Sequence, residues 1–264
     1  MKSIIKWTLR QRRTSTLWWC FAVASFIFIN MIFYPSFKDQ AAQLQQSFSN
    51  IPDSVLQLIG GSTDFFSPVG YLNGQIFFIM LPLLLGILSI SLGSKLIATE
   101  EQDKTIESIL ARPISRSKLL LGKALAGITI LGLATVAALV STTLLAKVVG
   151  LDVSTIAIFQ ATLACFLLCL SFGAVAFALT SSGLSQSSSL GLTTIFAFGG
   201  YIIGSLSGTI KWLNTPSKLF SFTYYDSEEI LRGTYNWNNI FFFITVVLIS
   251  CFVAWYFFRS RDLK

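Results

Sequence analysis

Runs of eighteen or more residues without an acidic or basic side chain recur along this chain. A run of that length and apolarity is the signature of a helix that crosses a bilayer. The predicted spans cover about 17–34, 75–97, 119–146, 155–180, 187–210 and 239–258 of the sequence. The expected fold class is therefore an all-α polytopic membrane protein with six transmembrane helices, a single domain over residues 1–264. Only 12% of the residues are charged, against about 25% in an ordinary soluble domain.

The polar segments between the runs set the orientation. Residues 1–16, 95–123 and 259–264 hold five, six and three of the nineteen Lys and Arg residues. The other five are Lys38, Lys147, Lys211, Lys218 and Arg232. Basic residues concentrate on the cytoplasmic side of a membrane, so both termini are expected to be cytoplasmic. The same rule accounts for the net charge of +7 without nucleic acid. The run at 17–34 is too long for a signal-peptide core and lacks a small-residue cleavage pattern, so it reads as a retained first span. Residues 35–74 read as an extracellular loop in which Val55–Ile59 can form a short surface helix, with a plain solvated loop as the alternative. Pro82 is expected to interrupt the second span.

What the chain lacks narrows its chemistry. It has no phosphate-binding Gly-x-x-x-x-Gly-Lys-Ser/Thr loop, since Gly122-Lys123 has no glycine at the required upstream spacing. It has no histidine, which argues against zinc hydrolases and histidine proton relays. Its four cysteines, Cys20, Cys165, Cys169 and Cys251, all fall inside apolar runs and read as small packing residues. No charged residue is expected in the middle of a span, so a self-contained ion-coupled transporter is disfavoured. No catalytic residue, metal site or bound cofactor is expected in this chain.

Two spans carry small residues every fourth position, a spacing that lets helix backbones approach closely. In the fourth span these are Ala157, Ala161, Cys165, Cys169 and Gly173. In the fifth they are Gly200, Gly204 and Gly208, which read as a helix-packing face or a dimer seam.

The polar segment 100–116 interrupts the spans on the expected cytoplasmic side. Thr99 and Gln102 have capping-box spacing, and Glu100, Glu101 and Asp103 suit the first turn of a helix. Ile106, Ile109 and Leu110 form a narrow apolar stripe. Pro113 ends the helix at Arg112, and Ser115 can cap the next one. A short amphipathic helix over 99–112 is predicted. It could rest on lipid headgroups, but its acidic polar face fits a protein partner better than anionic lipid.

At these residues the chain resembles the membrane subunit of ABC type-2 exporters. The match runs through Glu100, Glu101, Thr105, Glu107, Leu110, Pro113, Ser115, Arg116 and Lys123. The ending Phe258-Arg259-Ser260-Arg261-Asp262-Leu263 and the stretch Pro216–Tyr225 resemble the same family. Lys104 stands where that family often has glycine.

The resemblance implies a permease subunit that forms a translocation path as a dimer, with an identical or homologous second permease subunit. Two copies of a separate ABC ATPase subunit would hydrolyse ATP with Mg, so this chain itself would not be an enzyme. Residues 99–112 would be the coupling helix, with Glu100, Glu101, Thr105, Glu107, Leu110, Pro113 and Arg116 contacting the ATPase. Spans two and five would wall the conduit, spans one and five would meet at the dimer seam, and 211–238 would re-enter the outer leaflet. The location implied is the cell membrane of a prokaryote, in contact with membrane lipid and not with nucleic acid. The competing reading is a non-transporting immunity or sensory protein that binds a peptide through its outer loops. An intramembrane enzyme would need a catalytic pair within a span, and the sequence offers none.

Overall fold

The computed structural model describes residues 2–48, 67–102, 115–207 and 210–260. Among them the ordered elements are all helical. The long ones are α1 (Lys2–Gln11), α2 (Arg13–Phe48), α3 (Met80–Lys95), α4 (Arg116–Val148), α5 (Thr155–Ser181), α6 (Gln186–Ser207) and α7 (Ile240–Ser260). Six stretches are long and apolar enough to cross a membrane: Arg13–Lys38, Pro68–Glu100, Arg116–Val148, Thr155–Ser181, Gln186–Ser207 and Trp237–Ser260.

The fourth of these, α5, is the centre of the bundle. It packs most extensively on α3 and α7. Its small residues Ala157, Ala161, Cys165 and Cys169 are fully or almost fully buried. At the crossing with α3, a Cβ on Gly93 would run into the Gly173 carbonyl and lie 2.9 Å from Ala176 Cβ. A Cβ on Gly173 would strike the Ser89 hydroxyl. Lipid tails are as apolar as the helices, so close backbone packing of this kind is what holds such helices together. The Cys169 thiol lies 3.5 Å from the Pro82 carbonyl and tightens the same contact.

Two features differ from the sequence reading of 35–74 as a loop. First, α2 continues through Pro35 to Phe48. Proline is a strong stop signal read locally, but here the flanking turns remain helical and Tyr34 is buried beside it. Second, the next span is already ordered at Pro68. The Ser67 hydroxyl accepts from the Gly70 amide at 2.9 Å, and proline occupies the first helical turn, where no N–H is needed. Tyr71 then packs between Tyr34 and Phe37, with ring centroids 5.0 and 4.8 Å away. Its hydroxyl donates to the Asn30 carbonyl. The proposed surface helix at Val55–Ile59 lies outside the described residues.

The interruption expected at Pro82 falls just upstream of it, and Pro82 itself sits in the first turn of α3. Asn73–Phe77 forms a π-helical turn, and Ile79, at φ −129°, separates it from α3. The segment between α6 and α7 is a chain of short turns and helices, including Ser221–Tyr224 and Ser227–Arg232. It is tied to the π-turn by the Ser227 hydroxyl, which donates to Asn73 Oδ1 at 2.6 Å. Between α5 and α6 the chain reverses at Gly183, whose φ of +109° is a left-handed value that favours glycine. The Ser189 hydroxyl closes this hairpin by donating to the Ala176 carbonyl at 2.7 Å.

The N terminus supplies an element the sequence reading left as a basic flank. α1 buries Ile4 and Thr8, one helical turn apart, and packs against α4. Gly122 makes room for it, because a Cβ there would lie 2.9 Å from Ile4 Cγ2. Ile4, Leu96, Leu119, Phe177, Ala254 and Phe258 belong to one apolar cluster. Both Lys2 and Ser260 therefore lie at the same end of the bundle, referred to below as the near end.

Candidate functional site

Residues of the 100–116 segment emerge at the near end. After α3 the chain turns at Leu96–Ile97, both buried, into a short helix, Ala98–Gln102. Thr99 therefore lies inside this helix and not at its cap. The turn keeps the chain close to α4, and this brings Glu100 inward. Glu100 is 6% exposed and forms an ion pair with the Lys123 ammonium, which is 2% exposed. Lys123 sits seven residues into α4, roughly 10 Å along the axis from its start at 1.5 Å per residue.

Two groups from the amino-terminal region complete the pair's surroundings. The Lys123 ammonium lies 4.6 Å from the centre of the Trp7 ring, an arrangement in which the ring face attracts the cation. Arg12, at the junction of α1 and α2, is partly buried, and that burial pulls its guanidinium below the ordinary value. The Glu100 carboxylate opposes this shift by favouring the charged form. One carboxylate thus faces positive charge from α4 and from the junction of α1 and α2.

The remaining positions of the motif fall in different places. Ser115 caps α4 as its sequence position suggests, accepting from the Lys118 amide at 3.4 Å. Arg116 opens α4, and its Nη1 donates to the Arg259 carbonyl at 3.5 Å. A cation is favoured at that carbonyl, because helix C-termini carry partial negative charge. Trp255 Nε1 donates to the Ser117 hydroxyl at 3.2 Å, so the end of α7 is fastened to the start of α4. Glu101 lies in the helix Ala98–Gln102. Thr105, Glu107, Leu110 and Pro113 lie outside the described residues.

The fifth-span glycines face the same chain. A Cβ on Gly200 would come within 2.9 Å of Phe220, and one on Gly204 would lie 3.5 Å from the Thr223 hydroxyl. At these two positions the stripe packs helix against the turns that precede α7. Gly208 lies outside the described residues.

Sequence reading missed the Glu100 partner, Trp7 and Arg12. A lysine flanked by Leu119–Leu121 and Ala124–Ala126, well past the cap at Ser115, was the available signal. A charge in such surroundings needs a counter-charge.

A second feature lies further along the bundle. An apolar cleft of about 290 Å³ opens between α3, α5 and α6, lined by Pro82, Gly86, Phe172, Thr194, Tyr201 and Phe222 among others. The break before α3 and the turns before α7 shape its upper wall.

Comparison with known proteins bears on all of these positions together. A family model described as "ABC-2 family transporter protein" matches residues 3–263. No curated protein and no solved structure matches the chain. A match of that extent takes in both the near-end cluster and the cleft, and the chain belongs to the ABC-2 transporter family.

Proposed function

We propose that this chain is the permease subunit of an ATP-driven exporter. It works as a dimer with an identical or homologous permease and is driven by two copies of a separate ABC ATPase, which binds ATP and Mg. The observation that carries this reading is the seating of Glu100. It is the first residue of the family-like segment, and it is buried and ion-paired at the root of that segment. A segment rooted in this way can transmit a load to the bundle, whereas one attached only by its two chain ends would flex. Residues 99–112 act as the coupling helix, and Glu101, Thr105, Glu107, Leu110, Pro113 and Arg116 contribute to the ATPase contact; Glu100, expected to share in it, is buried against Lys123 and anchors the segment instead.

The conduit in this reading runs along α3 and α6. The open apolar cleft between these helices supports that placement. Ligand-driven reorientation requires contacts that differ between two states. The hairpin at Gly183 and the break at Ile79 border the two helices that would move. The protein is placed in a prokaryotic plasma membrane with both termini cytoplasmic, and the first and fifth spans face the second subunit.

The test is reconstitution with a candidate ABC ATPase subunit. The intact chain should copurify with that ATPase and change its turnover. Glu101→Ala and Glu107→Ala should abolish that change while leaving membrane insertion intact. Retained coupling after deletion of residues 100–111 would overturn the reading.

A further inference from the structure

The Glu100–Lys123 pair joins three elements. Glu100 belongs to the helix Ala98–Gln102, Lys123 to α4, and the ring over Lys123 to α1. Arg12, where α1 meets α2, is electrostatically tied to the same carboxylate. Gly122, next to Lys123 in sequence, lets Ile4 of α1 come into van der Waals contact. Apolar packing and charge therefore fix α1 at the same point on α4. Two roles are compatible with a buried pair of this kind. It can merely neutralise charges that the fold has trapped, or it can set the relative position of the parts it joins. The Trp7 contact separates the two. Neutralisation needs only the carboxylate, whereas a ring from a third element adds a direction and a partner.

We infer that Lys123 is a positioning residue that holds the root of the 100–116 segment in register with the amino-terminal helix. A displacement of that segment is then delivered to α1 through the Lys123–Trp7 contact, as well as to the spans joined to it by the backbone. This deepens the proposed function and rests on it: α1 becomes a third moving part beside the second and third spans. The clamp is reciprocal, because loosening either side must loosen the other.

Hydrogen exchange on the full chain in lipid nanodiscs tests this without any ATPase. Trp7→Leu leaves both charges in place and lies on α1. It should speed exchange in residues 98–102 by about fivefold or more, the lower end of ordinary coupling strengths. The double variant Glu100→Gln/Lys123→Met removes the pair without stranding a charge. It should insert normally and speed exchange in residues 2–11 by a similar factor. Lys123→Arg keeps the cation and its ring contact and should stay within about twofold of the parent. In complex with the ATPase, ATP should change exchange in residues 2–11 of the parent but not of the double variant.

Parent-like exchange in both Trp7→Leu and the double variant would overturn the proposal and leave charge neutralisation as the role of the pair. If the double variant fails to insert, unchanged exchange at 98–102 in Trp7→Leu overturns it alone. If the parent alters no ATPase, the proposed function fails, while the nanodisc measurements still decide the clamp.

Discussion

The Tyr225 hydroxyl donates a buried hydrogen bond to the Phe77 carbonyl at 2.7 Å, joining the segment before α7 to the π-turn before α3. Residues 148 positions apart in sequence meet there. A carbonyl at a helix break has lost its ordinary partner, and in a membrane protein no bulk water is at hand to replace it. Tyr225→Phe should therefore cost about 1–3 kcal/mol, the penalty for leaving a buried acceptor unsatisfied. Thermal unfolding in detergent checks the size, and hydrogen exchange across 211–235 checks the place.

Gly93 and Gly173 should tolerate no larger residue. A Cβ at either position meets backbone or a neighbouring side chain on the facing helix, so relief requires the two helices to separate. Gly93→Val is expected to cost about 1–3 kcal/mol or more through overpacking. Gly132 provides the control, since a Cβ there would meet nothing within 4 Å. Gly132→Ala should raise stability by roughly 0.5–1 kcal/mol, because glycine is a poor helix residue. Equal losses at Gly93 and Gly132 would show that the α3–α5 crossing is not the determinant.

Helix caps should differ in worth. The Ser67 hydroxyl accepts at 2.9 Å and the Ser115 hydroxyl at 3.4 Å. Loss of a serine cap costs about 0.5–2 kcal/mol, and Ser67→Ala should fall towards the upper end of that range and Ser115→Ala towards the lower. Paired melting curves measure the difference, and a larger loss at Ser115 would contradict it.

Alkaline pH should loosen the segment before α7 through Tyr235. Burial, first of all, raises its hydroxyl from 10.0 to about 12, with Asp226 and Glu229 adding to the rise and a hydrogen bond with Asn239 opposing it. The folded state thus holds this proton more tightly than the unfolded chain. The stabilisation is complete below pH 10 and is lost as pH climbs towards about 12. The hydroxyl donates to the Tyr224 carbonyl at 2.6 Å, a bond that ionisation removes. Stability measured from pH 9 to 11 should fall less steeply in Tyr235→Phe than in the parent; parallel profiles would exclude Tyr235 as the group.

The helical class was legible because uncharged length is a property of the sequence alone, and the runs around 155–180 and 187–210 needed no partner to be recognised. The cap at Ser115 and the break near Pro82 were also local, since each depends on side chains within a few residues. Pro35 misled for the same reason: its local preference is to end a helix, and packing of the surrounding turns prevails over it. α1 was hidden because its buried face consists of only Ile4 and Thr8, too narrow a stripe to stand out among Lys2, Lys6 and Arg10. The small-residue spacing in the fifth span indicated that something packs closely there, but spacing cannot name the partner. Phe220 and Thr223 come from beyond the end of that helix. The Glu100–Lys123 pair was the least visible, since 23 residues separate its members and only the turn at Leu96–Ile97 brings them together.

Ile4 and Phe258 share one apolar cluster although nearly the whole sequence lies between them. A ribosome delivers the first of these residues long before the second, and domains assemble as their parts emerge. The amino-terminal helix must therefore wait, without its full set of neighbours, until the sixth span has been threaded into the bilayer. Closure of the near end is a late event in biogenesis, and it reports that all the spans have arrived.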